Sequence, residues 1–148
     1  MDTHTLQHLT QNDWVLVNAR AKRLIFKLGD EIIREGASGD VIYIIRRGSA
    51  AVEVAGAYSR AVIAQLGAGD ICGEIAFLEN GKATATIIAK EDEVEVDAIQ
   101  TEDLRQLFDS FPGLGSRFYH SLAVVLAQRL RDTSRELLRE KSTNKALK

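Results

Sequence analysis

Between Arg23 and Ile99, nine glycines (Gly29, Gly36, Gly39, Gly48, Gly56, Gly67, Gly69, Gly73 and Gly81) cut the chain into short segments rich in valine and isoleucine. Glycine admits the positive φ of tight turns and β-branched residues favour extended backbone, so this spacing predicts many short strands joined by turns. The implied fold is mainly β: a compact barrel or jelly roll. The run VIYII, Val41 to Ile45, is apolar on both faces and reads as a central strand. In EVEVDAI, Val94, Val96 and Ala98 alternate with Glu93, Glu95 and Asp97, which predicts a strand with one face toward water.

Both flanks are helical in pattern. From Leu6 to about Val17 a small leading helix is expected, with Thr10 as its cap, Asp13 at the third helical position, and Trp14 and Val17 on one face. Downstream, Thr101 is placed to cap a helix carrying Leu104, Leu107 and Phe108. Pro112 suits the first turn of the next, in which Leu114, Phe118, Leu122, Val125 and Leu126 recur at three and four residues. These helices should pack on the barrel. Beyond Thr133, SRELLREKSTNKALK keeps only Leu137 and Leu138 as an apolar pair, so a frayed helix, a lid, a dimer seam and a linker all remain open. The expected division is one domain over residues 1–133 and a helical tail or linker over 134–148.

Composition narrows the function classes. At 148 residues, 45% hydrophobic and 27% charged, the chain has the size and balance of one globular domain. A net charge of -2 gives no general attraction to polyanions. The single cysteine, Cys72, excludes an internal disulfide framework, and no apolar run approaches the roughly 20 residues that span a bilayer. The opening MDTHTLQHLTQ lacks the basic and then apolar regions of a secretory signal, so a cytoplasmic location is expected and membrane insertion is not. Catalysis finds no foothold either. His4, His8 and His120 lie outside the strand zone, no metal cage is visible, and neither Cys72 nor any serine stands beside a base. No catalytic residue, metal or cofactor is assigned. His4 and His8, four residues apart, read as a solvated pair.

The segment GDICGEIAFLENGKATATIIA, Gly69 to Ala89, carries the binding chemistry. Gly73 followed by Glu74, Ile75 and Ala76 predicts a tight turn into a short helix whose first N–H groups point outward toward an anion. Glu74 would repel a phosphate unless its oxygens accepted protons from hydroxyls. A ribose bearing a phosphate supplies both groups, with hydroxyl help from Thr84. The competing reading is a plain turn with a solvated glutamate.

These residues resemble the phosphate-binding cassette of the cyclic nucleotide-binding domain family, in which Gly-Glu-(Leu/Ile)-Ala is followed after a short loop by Arg-(Ser/Thr/Ala)-Ala-Thr-Val. Gly73, Glu74, Ile75 and Ala76 match the first part, and Thr84, Ala85, Thr86 and Ile87 the end of the second. The similarity extends upstream through Phe26 to Val54 and downstream to the helices ending near Thr133. It implies a jelly roll that binds cAMP, with Thr84 mildly suggesting tolerance for cGMP, and that signals through its C-terminal helices. It also places Val52 and Ile63 at apolar positions facing ribose and base, although each is first of all an ordinary inward-facing strand residue. Cys72 falls where the family has an apolar residue, and reads as a small buried hydrophobe.

The departure is at Ala83, which the alignment sets where the family has its phosphate-binding arginine. Losing such a charge-assisted, bidentate contact costs about 2 to 4 kcal/mol, or about thirtyfold to a thousandfold in affinity. Lys82 can substitute only if the chain there is still loop, because neighbouring strand residues point to opposite faces. Two functions therefore stand: a cyclic nucleotide sensor with a weakened phosphate clamp, or a degenerate module that acts by dimerisation or effector docking. Retention of Glu74 favours the first, since a carboxylate beside an empty pocket lacks a partner. The C-terminal helices are the expected surface for a homodimer or an effector; Arg135, Leu137 and Leu138 are candidates to cover the base or to contact that partner, and a solvated helix with charges at three- and four-residue spacing is equally consistent. Direct DNA binding is not expected, because Lys148 comes too soon for a following helix-turn-helix. Whether the chain is a stand-alone sensor or a regulatory piece of a longer protein stays open.

Overall fold

The computed structural model describes residues 5–146, and side chains through residue 143. Among them, eight strands form two four-stranded antiparallel sheets flanked by helices, the expected jelly roll. The first sheet runs β1-β8-β3-β6, from β1 (Lys22–Phe26), β8 (Val94–Gln100), β3 (Val41–Arg47) and β6 (Ile71–Cys72). The second runs β2-β7-β4-β5, from β2 (Glu31–Ile33), β7 (Thr86–Ala89), β4 (Ala50–Ala55) and β5 (Arg60–Leu66). The helices are α1 (Gln11–Arg20), α2 (Glu74–Glu79), α3 (Thr101–Ser110) and α4 (Pro112–Ala146).

β3 is central, as its two-sided apolar pattern requires. Ile42 and Ile44 face the helices, in a core with Trp14, Val17, Leu104, Phe118 and Leu122. On the other side Ile45 packs inside the barrel with Ala50, Leu66, Cys72, Ile87, Val94 and Val96. One strand thus joins two cores.

Three local expectations are corrected. The leading helix starts at Gln11, not Leu6: Leu6 and Leu9 are buried from a non-helical segment, so their three-residue spacing reflects burial and not a helical face. The capping box itself is present, with Thr10 Oγ1 accepting from Asp13 N–H at 3.1 Å and the Asp13 carboxylate accepting from Thr10 N–H at 3.0 Å. At the other end, Gln100 is the cap of α3 and Thr101 its first residue, held by a 2.9 Å bond from its N–H to the Asp40 carbonyl.

The polar side of β8 faces water only in part: Glu93 and Glu95 stay accessible, whereas Asp97 is buried. Arg23 donates to Asp97 at 2.7 Å, Arg46 donates to the other Asp97 oxygen, and Ile99 on the same face joins the helical core. Burial alone would push the Asp97 carboxyl up, but the two arginines outweigh it and hold it below its usual value of 3.8. His8 is exposed and stacks on His120 with ring centroids 3.9 Å apart, while its expected pairing with His4 lies outside the described residues.

α4 is the element whose length the sequence left open. It runs unbroken from Pro112 to Ala146, so the segment beyond Thr133 continues the helix. Leu114, Phe118 and Leu122 are buried and Val125 packs beside them, whereas Leu130, Leu137 and Leu138 are exposed. The helix therefore docks on the barrel through its first half only.

Candidate functional site

β6 ends at Cys72, which is buried as a small hydrophobe, its thiol pKa pushed well up by that burial. Gly73 then turns the chain with φ +89°, and a Cβ there would meet the Val41 carbonyl oxygen at 2.7 Å. Only glycine fits. α2 follows directly, and its first intrahelical bond runs from Phe77 N–H to the Gly73 carbonyl, so the amides of Glu74, Ile75 and Ala76 precede the helical ladder. Asn80, at φ 52°, closes the helix.

The loop leading to β7 is pinned to the segment after β2. Ala83 N–H donates to the Ala37 carbonyl at 2.9 Å, and Gly36 N–H to the Ala83 carbonyl at 2.8 Å. Lys82 makes an isolated bridge with Ser38 and is exposed, outside any named strand, and Thr84 lies exposed in a bend. Thr86 is buried and its Oγ1 accepts from Glu35 N–H at 3.0 Å. Gly39 lets this segment close on α2, since a Cβ there would sit 2.5 Å from that of Ala76.

The fold thus brings Gly73, Glu74, Ile75 and Ala76 into one short turn, with Lys82, Ala83 and Thr84 in the loop after it. Val52 is partly buried against the barrel core. Ile63 departs from the expectation of core packing: it is 61% exposed, because β5 is an edge strand paired only with β4.

Glu74 is 4% exposed, and its partner is one the sequence reading missed. Arg129, from α4, donates through Nη1 to Glu74 Oε1 at 2.6 Å and through Nη2 to the Ile71 carbonyl at 2.8 Å. Its position was legible in one respect: it stands four residues past Val125 and seven past Leu122, on the stripe that docks α4. Burial raises the Glu74 pKa above its usual 4.5 despite the opposing pull of Arg129. The sign follows: the folded state holds this proton more tightly than the unfolded chain, so the Glu74 contribution is full below 4.5 and is lost as pH rises through the raised value. Melting temperatures measured from pH 4 upward should therefore show a fall that Glu74→Gln removes; identical profiles for both chains would contradict it.

Phe77 ties α2 to the helices. It stacks on Tyr119 at 6.0 Å, meets Phe118 and Phe108 edge-on at 6.1 and 6.4 Å, and lies under the Arg105 guanidinium at 5.2 Å. A movement of α2 must therefore move α3 and α4 or break this cluster. Two open surface clefts lie elsewhere, one against Lys27, Arg47 and Glu93, the other against Asp13, Phe111 and Arg117.

The site is thus a buried acid in a glycine-led turn that packs through Phe77 against the terminal helices of a jelly roll. The chain belongs to the cyclic nucleotide-binding domain family, whose pattern it matches over residues 23–111. Cyclic GMP-binding protein C of Dictyostelium discoideum is 34% identical over 137 residues, covering 87% of this chain and 5% of that protein. The catabolite activator protein of Thermus thermophilus is 28% identical with a TM-score of 0.75, over 93% of this chain and 63% of its own. A regulatory subunit of a cAMP-independent protein kinase A from Trypanosoma brucei, solved as a mutant bound to cAMP, is 25% identical with a TM-score of 0.70, over 93% of this chain and 46% of its own. The chain spans less than two-thirds of the length of each of these relatives.

Proposed function

We propose that this chain is a regulatory module that binds cAMP or cGMP weakly at Gly73–Ala76 and reports binding through α3 and α4. The observation that carries the reading is the burial of Glu74 in the glycine-led turn of a family whose name is its ligand class. The ribose donates hydroxyls to Glu74, the cyclic phosphate accepts from the amides of α2, and Val52 and Ile63 border the sugar and base. Ala83 leaves this clamp weaker than the family's pattern. The output is mechanical: a shift of α2 passes through Phe77 to Phe108, Phe118 and Tyr119. Because a ligand moves such an equilibrium only by its differential affinity for the two states, a weak clamp also makes a weak switch. The exposed Leu137 and Leu138 fit contact with a second copy or an effector protein. The role is one of binding and not catalysis, in the cytoplasm; among the described residues no helix is long and apolar enough to cross a membrane.

The second reading, a module that has lost its ligand, draws support from Arg129. The case for a ligand from Glu74 alone was that a buried carboxylate needs a partner, and Arg129 already provides one. One relative at 25% identity is the regulatory subunit of a kinase described as cAMP-independent, which is in keeping with this reading. Calorimetric titration with cAMP and with cGMP decides between the two. Weak, saturable heat with either nucleotide is the expected result; no heat with either, at millimolar nucleotide, favours the degenerate module.

A further inference from the structure

We infer that Arg105 is a positioning residue for the cassette: it reaches back from α3 to hold the C-terminal end of α2, and so sets the direction of the turn that carries Glu74 at the other end. This role rests on the ligand site proposed above and concerns the regulation of that same site. α2 has six residues, fewer than two helical turns, and a helix of that length has no stability of its own in water. Its direction is therefore set by contacts from other elements. α2 has no basic residue in its last turn, and Asn80 closes it in the left-handed region at φ 52°. Arg105 meets this end twice. Its Nη2 donates to Asn80 Oδ1 at 3.0 Å, and its guanidinium lies over the Phe77 ring at 5.2 Å. The cation also opposes the partial negative charge at the carbonyl end of the helix.

Arg105 is itself anchored. Its Nη1 donates to Thr101 Oγ1, one turn earlier in α3, at 3.4 Å, and the Thr101 N–H donates to the Asp40 carbonyl at 2.9 Å. The Ser38 hydroxyl donates to Asp40 Oδ2 at 2.7 Å, and the Ser38 backbone bridges Lys82 in the loop that leaves α2. These contacts close a circuit: the first turn of α3 grips the exit of the cassette through Arg105 on one side and through that loop on the other.

Holding a direction differs from adding stability. The Arg105–Asn80 bond is exposed, so its loss costs the whole fold little. Ligand affinity, by contrast, then depends on a residue that touches no ligand. α3 also follows a rotation of α2 directly, beside the packing of Phe77.

The test compares the full chain with Arg105→Lys, Arg105→Gln, Asn80→Gly and Arg105→Gln with Asn80→Gly, by calorimetry with cAMP and cGMP, thermal melts, and amide hydrogen exchange without nucleotide. Asn80→Gly keeps the positive φ and removes only the acceptor. Arg105→Gln should weaken binding by about threefold to tenfold with little change in melting temperature. It should also speed exchange at the Phe77, Asn80 and Gly81 amides, which close α2, and leave that of Leu122 in α4 unchanged. Arg105→Lys, which keeps the charge but not the fork, should fall between. The double variant should bind no more weakly than Arg105→Gln alone. Unchanged affinity in Arg105→Gln overturns the inference, as do losses that add in the double variant. A lower melting temperature with uniformly faster exchange overturns it too, by making Arg105 a residue of general stability. If the unaltered chain binds neither nucleotide, the ligand reading falls and exchange alone decides: faster exchange confined to α2 in Arg105→Gln upholds the grip, and unchanged exchange overturns it.

Discussion

Replacing Ala83 with arginine is expected to tighten cAMP binding by about thirtyfold to a thousandfold, the inverse of the loss that the missing charge-assisted contact implies. The backbone there is ready to carry it. Ala83 is held on both sides, through its N–H to Ala37 and its carbonyl from Gly36, and neither bond uses the side chain. A longer side chain therefore projects from a fixed position, with less ordering entropy left to lose on binding than in a free loop. Titration calorimetry reads this directly, and an unchanged Kd would mean that position 83 does not face the phosphate.

Glu74→Ala should remove binding or weaken it by about tenfold to a hundredfold, because hydrogen bonds to a charged acceptor are worth about 1.5 to 3 kcal/mol each. The variant also frees Arg129, whose Nη1 then lacks its carboxylate. That second effect separates the loss of a ribose acceptor from the loss of α4 anchoring. If Glu74 only anchored α4, Glu74→Ala would lower the melting temperature while nucleotide affinity stayed the same. If Glu74 holds the sugar, affinity falls even where stability is unchanged or rises, as relief of a buried carboxylate allows.

Much of the fold was legible because its signals are local. Glycine spacing set the strands, the two-sided apolar run Val41 to Ile45 marked the centre of a sheet, and Thr10 with Asp13 marked a helix start. The same local logic misled at Leu6 and Leu9, where burial from a non-helical segment has the spacing of a helix, and at Glu95 and Asp97, where acids that look solvated are met by Arg23, Arg46 and Arg47 from other strands. The turn at Gly73 was readable for a steric reason that the Val41 carbonyl makes concrete. Arg129 was not read, since its role depends on a partner 55 residues away and on α4 folding back across the cassette. Periodicity places a residue on a face but does not name what that face meets.

The most direct measurement for the whole account is a nuclear magnetic resonance titration of the isotopically labelled chain with cAMP. The account predicts that the backbone amides of Ile75 and Ala76 shift progressively and saturate, together with those around Arg129 on α4. Saturating nucleotide that leaves the Gly73–Ala76 amides unmoved, or that shifts only resonances far from this turn, would contradict it.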